Sequence, residues 1–221
     1  TFTQAEDVTM YKLYNVKAWG SMGVHFLLEE MGVPYTNIWM TPEQVAAPEY
    51  RGLSPLGYIP ALGLDDGSTL FESAAIVAFL VTAHPEKGMA PQAGSNEYGE
   101  FLSWLHFMST NLYVAYNIGD AASFYARNPA EEAFLLGKSI EKGNQLWAIL
   151  AKRLEAEGPW LMGEKFSALD LYAFMLCCWS RPKETVLHAQ FPAIAELAKA
   201  VRARPKLKAA LEAHGVMEPR S

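Results

Sequence analysis

The chain changes character once, and that change limits the folds open to it. His84-Pro85-Glu86-Lys87-Gly88-Met89-Ala90-Pro91-Gln92-Ala93-Gly94 is rich in Pro and Gly and lacks a hydrophobic period, so it reads as a linker over 84–94. Before it, strand-like and helix-like segments alternate. After it, every periodic run is helical: roughly Glu97 to Tyr116, Glu131 to Glu157, Ser167 to Trp179, Ala193 to Ala203 and Lys206 to His214. No strand-like alternation competes with these runs, and no internal repeat occurs. A length of 221 residues, 51% hydrophobic and 19% charged, is enough for one large or two small cored domains. The sequence therefore predicts a mixed α/β domain over 9–83 and an all-helical domain over 95–221.

Within the first domain, Met10-Tyr11-Lys12-Leu13-Tyr14 reads as a strand. Val24, Leu27, Leu28 and Met31 recur at helical spacing, with Glu29 and Glu30 opposite, and Gly32 then Pro34 stops that helix. Tyr35 to Trp39 is a second strand, and Thr41 to Leu56, with three prolines, predicts a loop holding a short helix. Ile59 to Leu64 and Thr69 to Phe71 flank a turn at Asp66-Gly67, which predicts a hairpin; Ser73 then opens an apolar helix through Ile76, Val77 and Leu80. This β-α-β, irregular stretch, β-β-α order is that of a thioredoxin-like domain. In the second domain, Ser167-Ala168-Leu169-Asp170 before an apolar run predicts a capping box, a structural feature with no functional reading.

The formal net charge of −6 argues against nucleic acid as a partner. Thr1 to Asp7 lacks the basic and apolar regions of a secretory signal, and the most apolar stretch, Leu171 to Trp179, is too short to span a bilayer. Neither a membrane partner nor a metal is expected, because the Cys and His residues show no metal-ligand spacing. Cys177 and Cys178 are adjacent within an apolar helical run and read as small buried residues in a reducing, cytoplasmic compartment. His25, His84, His106, His188 and His214 are scattered and read as surface or satisfied core residues.

Four segments in order are similar to those of the glutathione S-transferase superfamily. Ser54-Pro55-Leu56-Gly57-Tyr58-Ile59-Pro60-Ala61-Leu62 resembles the family's Asn-Pro-x-Gly-x-Val-Pro-Ala-Leu segment, and Glu72-Ser73 its Glu/Gln-Ser pair. Leu161-Met162-Gly163-Glu164-Lys165-Phe166-Ser167-Ala168-Leu169-Asp170 resembles Leu-x-Gly-x-x-Phe-Ser-x-Ala-Asp, and Leu28-Glu29-Glu30-Met31-Gly32-Val33-Pro34-Tyr35 is a common family ending of the first helix. The resemblance implies a thioredoxin-like N-terminal domain, an all-helical C-terminal domain, glutathione as co-substrate and a homodimer.

The physics of a glutathione site can be set beside the resemblance. A carboxylate suits a helix N-terminus with free N–H groups and a hydroxyl, which Ser73 supplies, and Glu72 can pair with the γ-glutamyl ammonium. Alone, the two residues would equally serve as helix cap and dipole complement. Ile59-Pro60 falls where the family has a cis-proline, although only about one X–Pro bond in twenty is cis. A tripeptide can add to the backbone there like another strand.

The chemistry needs a thiol that titrates at about 8.5 to ionise near neutrality. Family members place a Tyr, Ser, Thr or Cys in the turn after the first strand, here Asn15-Val16-Lys17-Ala18-Trp19-Gly20-Ser21-Met22. The common Ser/Thr position falls on Ala18 and the beta-class Cys position on Gly20; the beta-class His position falls on Tyr113. Tyr14 aligns with the tyrosine of the mammalian tyrosine-type classes, at a strand end where Tyr is usually structural. Ser21 matches the serine of some bacterial glutathione-dependent β-etherases and is the expected thiolate stabiliser, with Asn15 as runner-up. Trp19, Met108, Leu112, Tyr113 and Tyr116 are candidate linings of an acceptor pocket for a small hydrophobic electrophile; aromatic stripes at this spacing also build cores. The expected activity is attack of the glutathione thiolate on an apolar, aromatic electrophile, by conjugation, ether cleavage or dehalogenation. The alternatives are a non-catalytic ligand- or protein-binding relative, and a glutathione-dependent peroxidase or thiol reductase, the latter disfavoured by the missing turn cysteine.

Overall fold

The computed structural model describes residues 11–221, so Met10 and the N-terminal segment read above lie outside the described residues. The chain divides into two compact units. One takes residues up to Lys87 together with Pro205–Gly215; the other takes Gly88–Arg204 and Val216–Ser221.

In the first unit, β1 (Tyr11–Asn15), α1 (Met22–Met31) and β2 (Tyr35–Trp39) form the β-α-β half, followed by α2 (Pro42–Ala46) and a 3-10 turn at Pro48–Gly52. The strands β3 (Ala61–Gly63) and β4 (Thr69–Phe71) and the helix α3 (Ser73–Ala83) complete the order expected. The sheet runs β2-β1-β3-β4, with β1 parallel to β2 and antiparallel to β3, and β3 antiparallel to β4. Gly67, at φ +83°, makes the hairpin turn, and Asp66 Oδ1 accepts the Ser68 N–H at 2.8 Å. This is the thioredoxin-like arrangement.

One feature of α1 departs from its pattern. Glu30, expected on a solvent face, is buried, and all of the helix except Glu29 is covered. The reason is the return of Pro205–Gly215 to this unit: α11 (Lys208–His214) and the turn before it pack on α1, and Lys206 Nζ donates to the Glu30 carbonyl at 2.8 Å. Lys206 to His214 is helical as its period predicts, but the period carries no sign of which unit it joins.

The second unit is helical throughout: α4 (Asn96–Phe107), α5 (Tyr113–Asp120), α6 (Ala122–Tyr125), α7 (Pro129–Glu157), α8 (Ala168–Cys178), α9 (Glu184–Gln190) and α10 (Pro192–Arg202). Every residue of α8 is buried, which explains its unbroken apolar sequence. α7 buries one stripe, Ser139, Gly143, Leu146, Trp147, Leu150, Ala151 and Leu154, at helical spacing. The run read as one helix to Tyr116 is interrupted by a π-helical stretch, Met108–Leu112. There Thr110 Oγ1 donates to the His106 carbonyl at 2.7 Å, and Ser109 Oγ donates to the same oxygen at 3.4 Å. Gly119 allows α5 to lie against α7, since a Cβ there would stand 2.4 Å from Ser139 Oγ. The capping box forms as read: Asp170 Oδ2 accepts the Ser167 N–H at 2.8 Å. Asp170 Oδ1 also accepts the Leu161 N–H at 2.8 Å, and burial pushes this carboxyl up to about 6. Among the described residues, no helix is long and apolar enough to cross a membrane.

Candidate functional site

Strand register brings the segments singled out in the first unit to one end of its sheet. Tyr14 of β1 pairs with Ala61 of β3, and Ala61 pairs with Phe71 of β4. Asn15 and the turn to α1, Ile59-Pro60 before β3, and Glu72-Ser73 after β4 therefore all leave the sheet at that end. These three segments, up to 58 positions apart in sequence, share one rim because the ladders are in this register and no other.

Each part has a distinct local geometry. The Ile59–Pro60 peptide is cis. The Ile59 side chain packs with Val16, Val45 and Tyr50 in a small core of its own, while its N–H and C=O have no hydrogen-bond partner among the described residues. Tyr50 Oη donates to the Tyr58 carbonyl at 3.2 Å, and Tyr58 N–H donates to Ser54 Oγ at 3.2 Å, which ties the segment leading to this edge. Glu72 is exposed and stands at φ +67°, ψ +110°, capping α3 by backbone alone; Ser73 is buried at the first position of that helix. Glu72 and Ala18 are the two non-glycine residues with positive φ among the described residues, at +67° and +59°. A left-handed backbone costs a side-chain-bearing residue on the order of 1–3 kcal/mol and persists only where the surroundings impose it. Both instances fall in the turns at this rim.

The turn itself rests on a buried polar chain. Ser21 is fully buried; its Oγ accepts the Val16 N–H at 3.1 Å and donates to the Val16 carbonyl at 3.3 Å. The hydroxyl expected at a thiolate is thus engaged in closing the turn, and it does not cap α1 either. Asn15 is also fully buried, with Nδ2 3.1 Å from Asn37 Oδ1 and 3.2 Å from His25 Nδ1, and with Oδ1 unpartnered. The N–H groups of Gly20 and Ser21 have no acceptor among the described residues.

Two of the histidines read as surface or satisfied core residues are core residues that hold this turn. Ala18 N–H donates to His214 Nδ1 at 3.0 Å, which fixes the His214 proton on Nε2. Nε2 lies 2.9 Å from His25 Nδ1 and donates there, so His25 carries its own proton on Nε2, 3.9 Å from Glu29 Oε1. Burial lowers His25 to about 4, against a smaller upward pull from Glu29. Burial, then His25 and Lys17, lowers His214 to about 3. Both rings are neutral at physiological pH, as the directional chain requires. Their 189-residue separation left no local signal.

The candidate pocket linings divide between the units. Trp19, in the first, is 42% exposed. In the second unit, Met108 and Leu112 are fully buried, and Tyr116 is buried with its hydroxyl accepting Trp147 Nε1–H at 2.6 Å. These three are core, the bland outcome of an aromatic stripe at helical spacing. Tyr113 is half-buried, its ring 5.2 Å from that of Trp179.

A thioredoxin-like unit with an unpaired backbone edge beside a cis-proline, joined in one chain to an all-helical unit, defines the class of a two-domain glutathione-dependent enzyme. Residues 21–83 match the family described as glutathione S-transferase, N-terminal domain, and residues 121–214 match glutathione S-transferase, C-terminal domain. Glutathione S-transferase-like protein gedE of Aspergillus terreus is 33% identical over 179 residues, 73% of this chain and 77% of that one. Glutathione S-transferase GstA of Escherichia coli O157:H7 is 27% identical, covering 89% of this chain and 94% of its own. A sphingomonad glutathione S-transferase solved with glutathione superposes with a TM-score of 0.79 at 27% identity, over 93% of this chain and 99% of that one. The chain belongs to the glutathione S-transferase family, and glutathione is the co-substrate that membership carries.

Proposed function

We propose that this chain binds glutathione at the rim where the three segments meet, ionises its thiol and directs the thiolate at an electrophilic carbon of a small apolar, aromatic compound. The observation that carries this reading is the shared register of Tyr14, Ala61 and Phe71, which groups the turn to α1, the Ile59 edge and the start of α3. In this reading the unpaired N–H and C=O of Ile59, beside Pro60, take the peptide of glutathione as an added strand. Ser73 and the first N–H groups of α3 take the γ-glutamyl carboxylate, and the exposed Glu72 pairs with the ammonium.

For the thiolate, the hydroxyl of Ser21 and the amide of Asn15 are both engaged inside the fold. The unpartnered N–H groups of Gly20 and Ser21 are then the donors nearest the start of α1, with the helix dipole behind them. Ser21 acts by setting the turn that aims them. Of the candidate acceptor linings, Trp19 in the first unit is exposed and Tyr113 in the second is half-buried. Conjugation, ether cleavage and dehalogenation share this first step. A homodimer in the cytoplasm is part of the same reading.

Titration calorimetry with glutathione tests it. Glu72→Ala and Ser73→Ala should each weaken binding by about 1.5–3 kcal/mol, roughly tenfold to a hundredfold. Wild-type affinity in both variants would move the site elsewhere. One observation favours a second reading, a non-catalytic glutathione-binding relative: neither expected side-chain donor is free in the turn. A panel of aryl halides, β-aryl ethers and hydroperoxides separates the two, since the second reading gives binding without turnover. Hydroperoxide turnover alone would instead support the glutathione-dependent peroxidase.

A further inference from the structure

In the helical unit, Cys177 of α8 meets Glu184 and His188 of α9. Cys177 and Glu184 are buried, and the His188 side chain is 15% exposed. Glu184 and His188 are spaced i, i+4, on one face of their helix. Their donor atoms face one another as a triangle: Cys177 Sγ to His188 Nε2 is 3.3 Å, Cys177 Sγ to Glu184 Oε1 is 3.7 Å, and His188 Nε2 to Glu184 Oε1 is 3.4 Å. Tetrahedral zinc, with bonds of about 2.3 Å to sulfur, 2.05 Å to nitrogen and 2.1 Å to oxygen, needs edges of about 3.6, 3.6 and 3.4 Å in the same order. The triangle present differs from that by a few tenths of an ångström.

We propose that Cys177, Glu184 and His188 form a site for a borderline-soft divalent cation, Zn²⁺ or Co²⁺ by the chemistry of its donors. Three protein ligands leave the fourth tetrahedral position to water, and His188 and Arg202 both line a cavity of about 490 Å³. The outer shell is in place. Glu184 Oε2 accepts the Arg220 N–H at 3.1 Å, which turns Oε1 toward the sulfur and the imidazole. Arg202 Nη2 donates to Glu184 Oε1 at 2.5 Å. It keeps two further anchors, its Nε on the Val216 carbonyl at 3.0 Å and its guanidinium over the Phe174 ring at 4.8 Å. A carboxylate oxygen with two lone pairs can hold Arg202 and a cation together.

The balance of binding is one proton. Burial, then the Glu184 charge, holds the Cys177 thiol well above its usual range, so the free site is a thiol. Coordination forms the metal–sulfur bond and releases that proton to solvent. The ligands follow neither a Cys-x-x-Cys nor a paired-histidine spacing, so no local pattern marks this site.

Cobalt titration of the full chain, first stripped with a chelator, tests the proposal. One equivalent of Co²⁺ should bind with a near-ultraviolet cobalt–thiolate charge-transfer band, and Zn²⁺ should displace it. The chain has two cysteines. Cys177→Ser should abolish the band and Cys178→Ser should keep it. His188→Gln should weaken cobalt binding by about tenfold or more. Circular dichroism identifies any variant that fails to fold. If Cys177→Ser does, the His188→Gln titration and the wild-type band still decide. No band in the wild type, a band that survives in folded Cys177→Ser, or cobalt affinity unchanged in His188→Gln overturns the proposal.

Discussion

Acid should attack this fold through the two histidines under the turn. His25 and His214 are buried, neutral and linked ring to ring at 2.9 Å, and their folded-state values of about 4 and about 3 lie below the ordinary 6.5. For a depressed group the unfolded chain binds the proton first. The stability these two contribute is therefore complete above about pH 6.5 and is lost as pH falls toward their folded values. Each unit of pH in that window costs about 1.4 kcal/mol per histidine. Between pH 8 and pH 4.5 the loss is about 2.5 kcal/mol for each, about 5 for the pair, a large share of a typical 5–15 kcal/mol. Urea melts at half-unit pH steps measure this. His214→Asn leaves an acceptor for the Ala18 N–H and should flatten the acid limb by about half; the His25→Asn, His214→Asn double variant should remove it. Asp170, raised to about 6, works in the opposite direction between about pH 4 and 6, but it is common to all the variants and cancels in the comparison. Acid limbs that run parallel in wild type and double variant would refute the argument.

Ser21→Ala should cost about 1–3 kcal/mol by leaving the buried Val16 N–H without its acceptor, and should lower kcat through a displaced turn more than it weakens glutathione binding; urea melts and steady-state kinetics check both. Asp170→Asn removes an acceptor that serves Leu161 and Ser167 and should destabilise by about 1–3 kcal/mol. Because the wild-type carboxyl is raised, its stabilisation is greatest in acid and fades as pH rises through 6, so the gap between wild type and variant should widen from pH 7.5 to 4.5. Gly119→Ala places a Cβ 2.4 Å from Ser139 Oγ and should lower Tm by several degrees, read by differential scanning calorimetry.

What was legible in the sequence was what local pattern controls. The hairpin at Asp66-Gly67, the Ser167–Asp170 cap and the apolar α8 each follow from residues within a few positions of one another. The rim residues were legible only in part. Ile59, Pro60, Glu72 and Ser73 stand at the segments the family motifs mark, but the fate of Ser21 depended on whether its hydroxyl meets Val16 or solvent, a matter of turn geometry that residue type leaves open. The partners of His214 and the Cys177–Glu184–His188 triangle were not legible for one reason. They lie across tertiary contacts, 189 residues away in the first case and on another helix in the second, where no periodicity reaches. The burial of Glu30 is the same lesson on a helix face, since what covers it comes from the far end of the chain.

Ionisation of the thiol of bound glutathione is measured directly by the ultraviolet absorbance of the thiolate, followed against pH with the protein saturated. The bound thiol should titrate with a midpoint at least one unit below the free value of about 8.5, equivalent to about 1.4 kcal/mol or more of stabilisation of the anion. A bound thiol that titrates at its free value would rule out activation, leaving a protein that holds glutathione without ionising it.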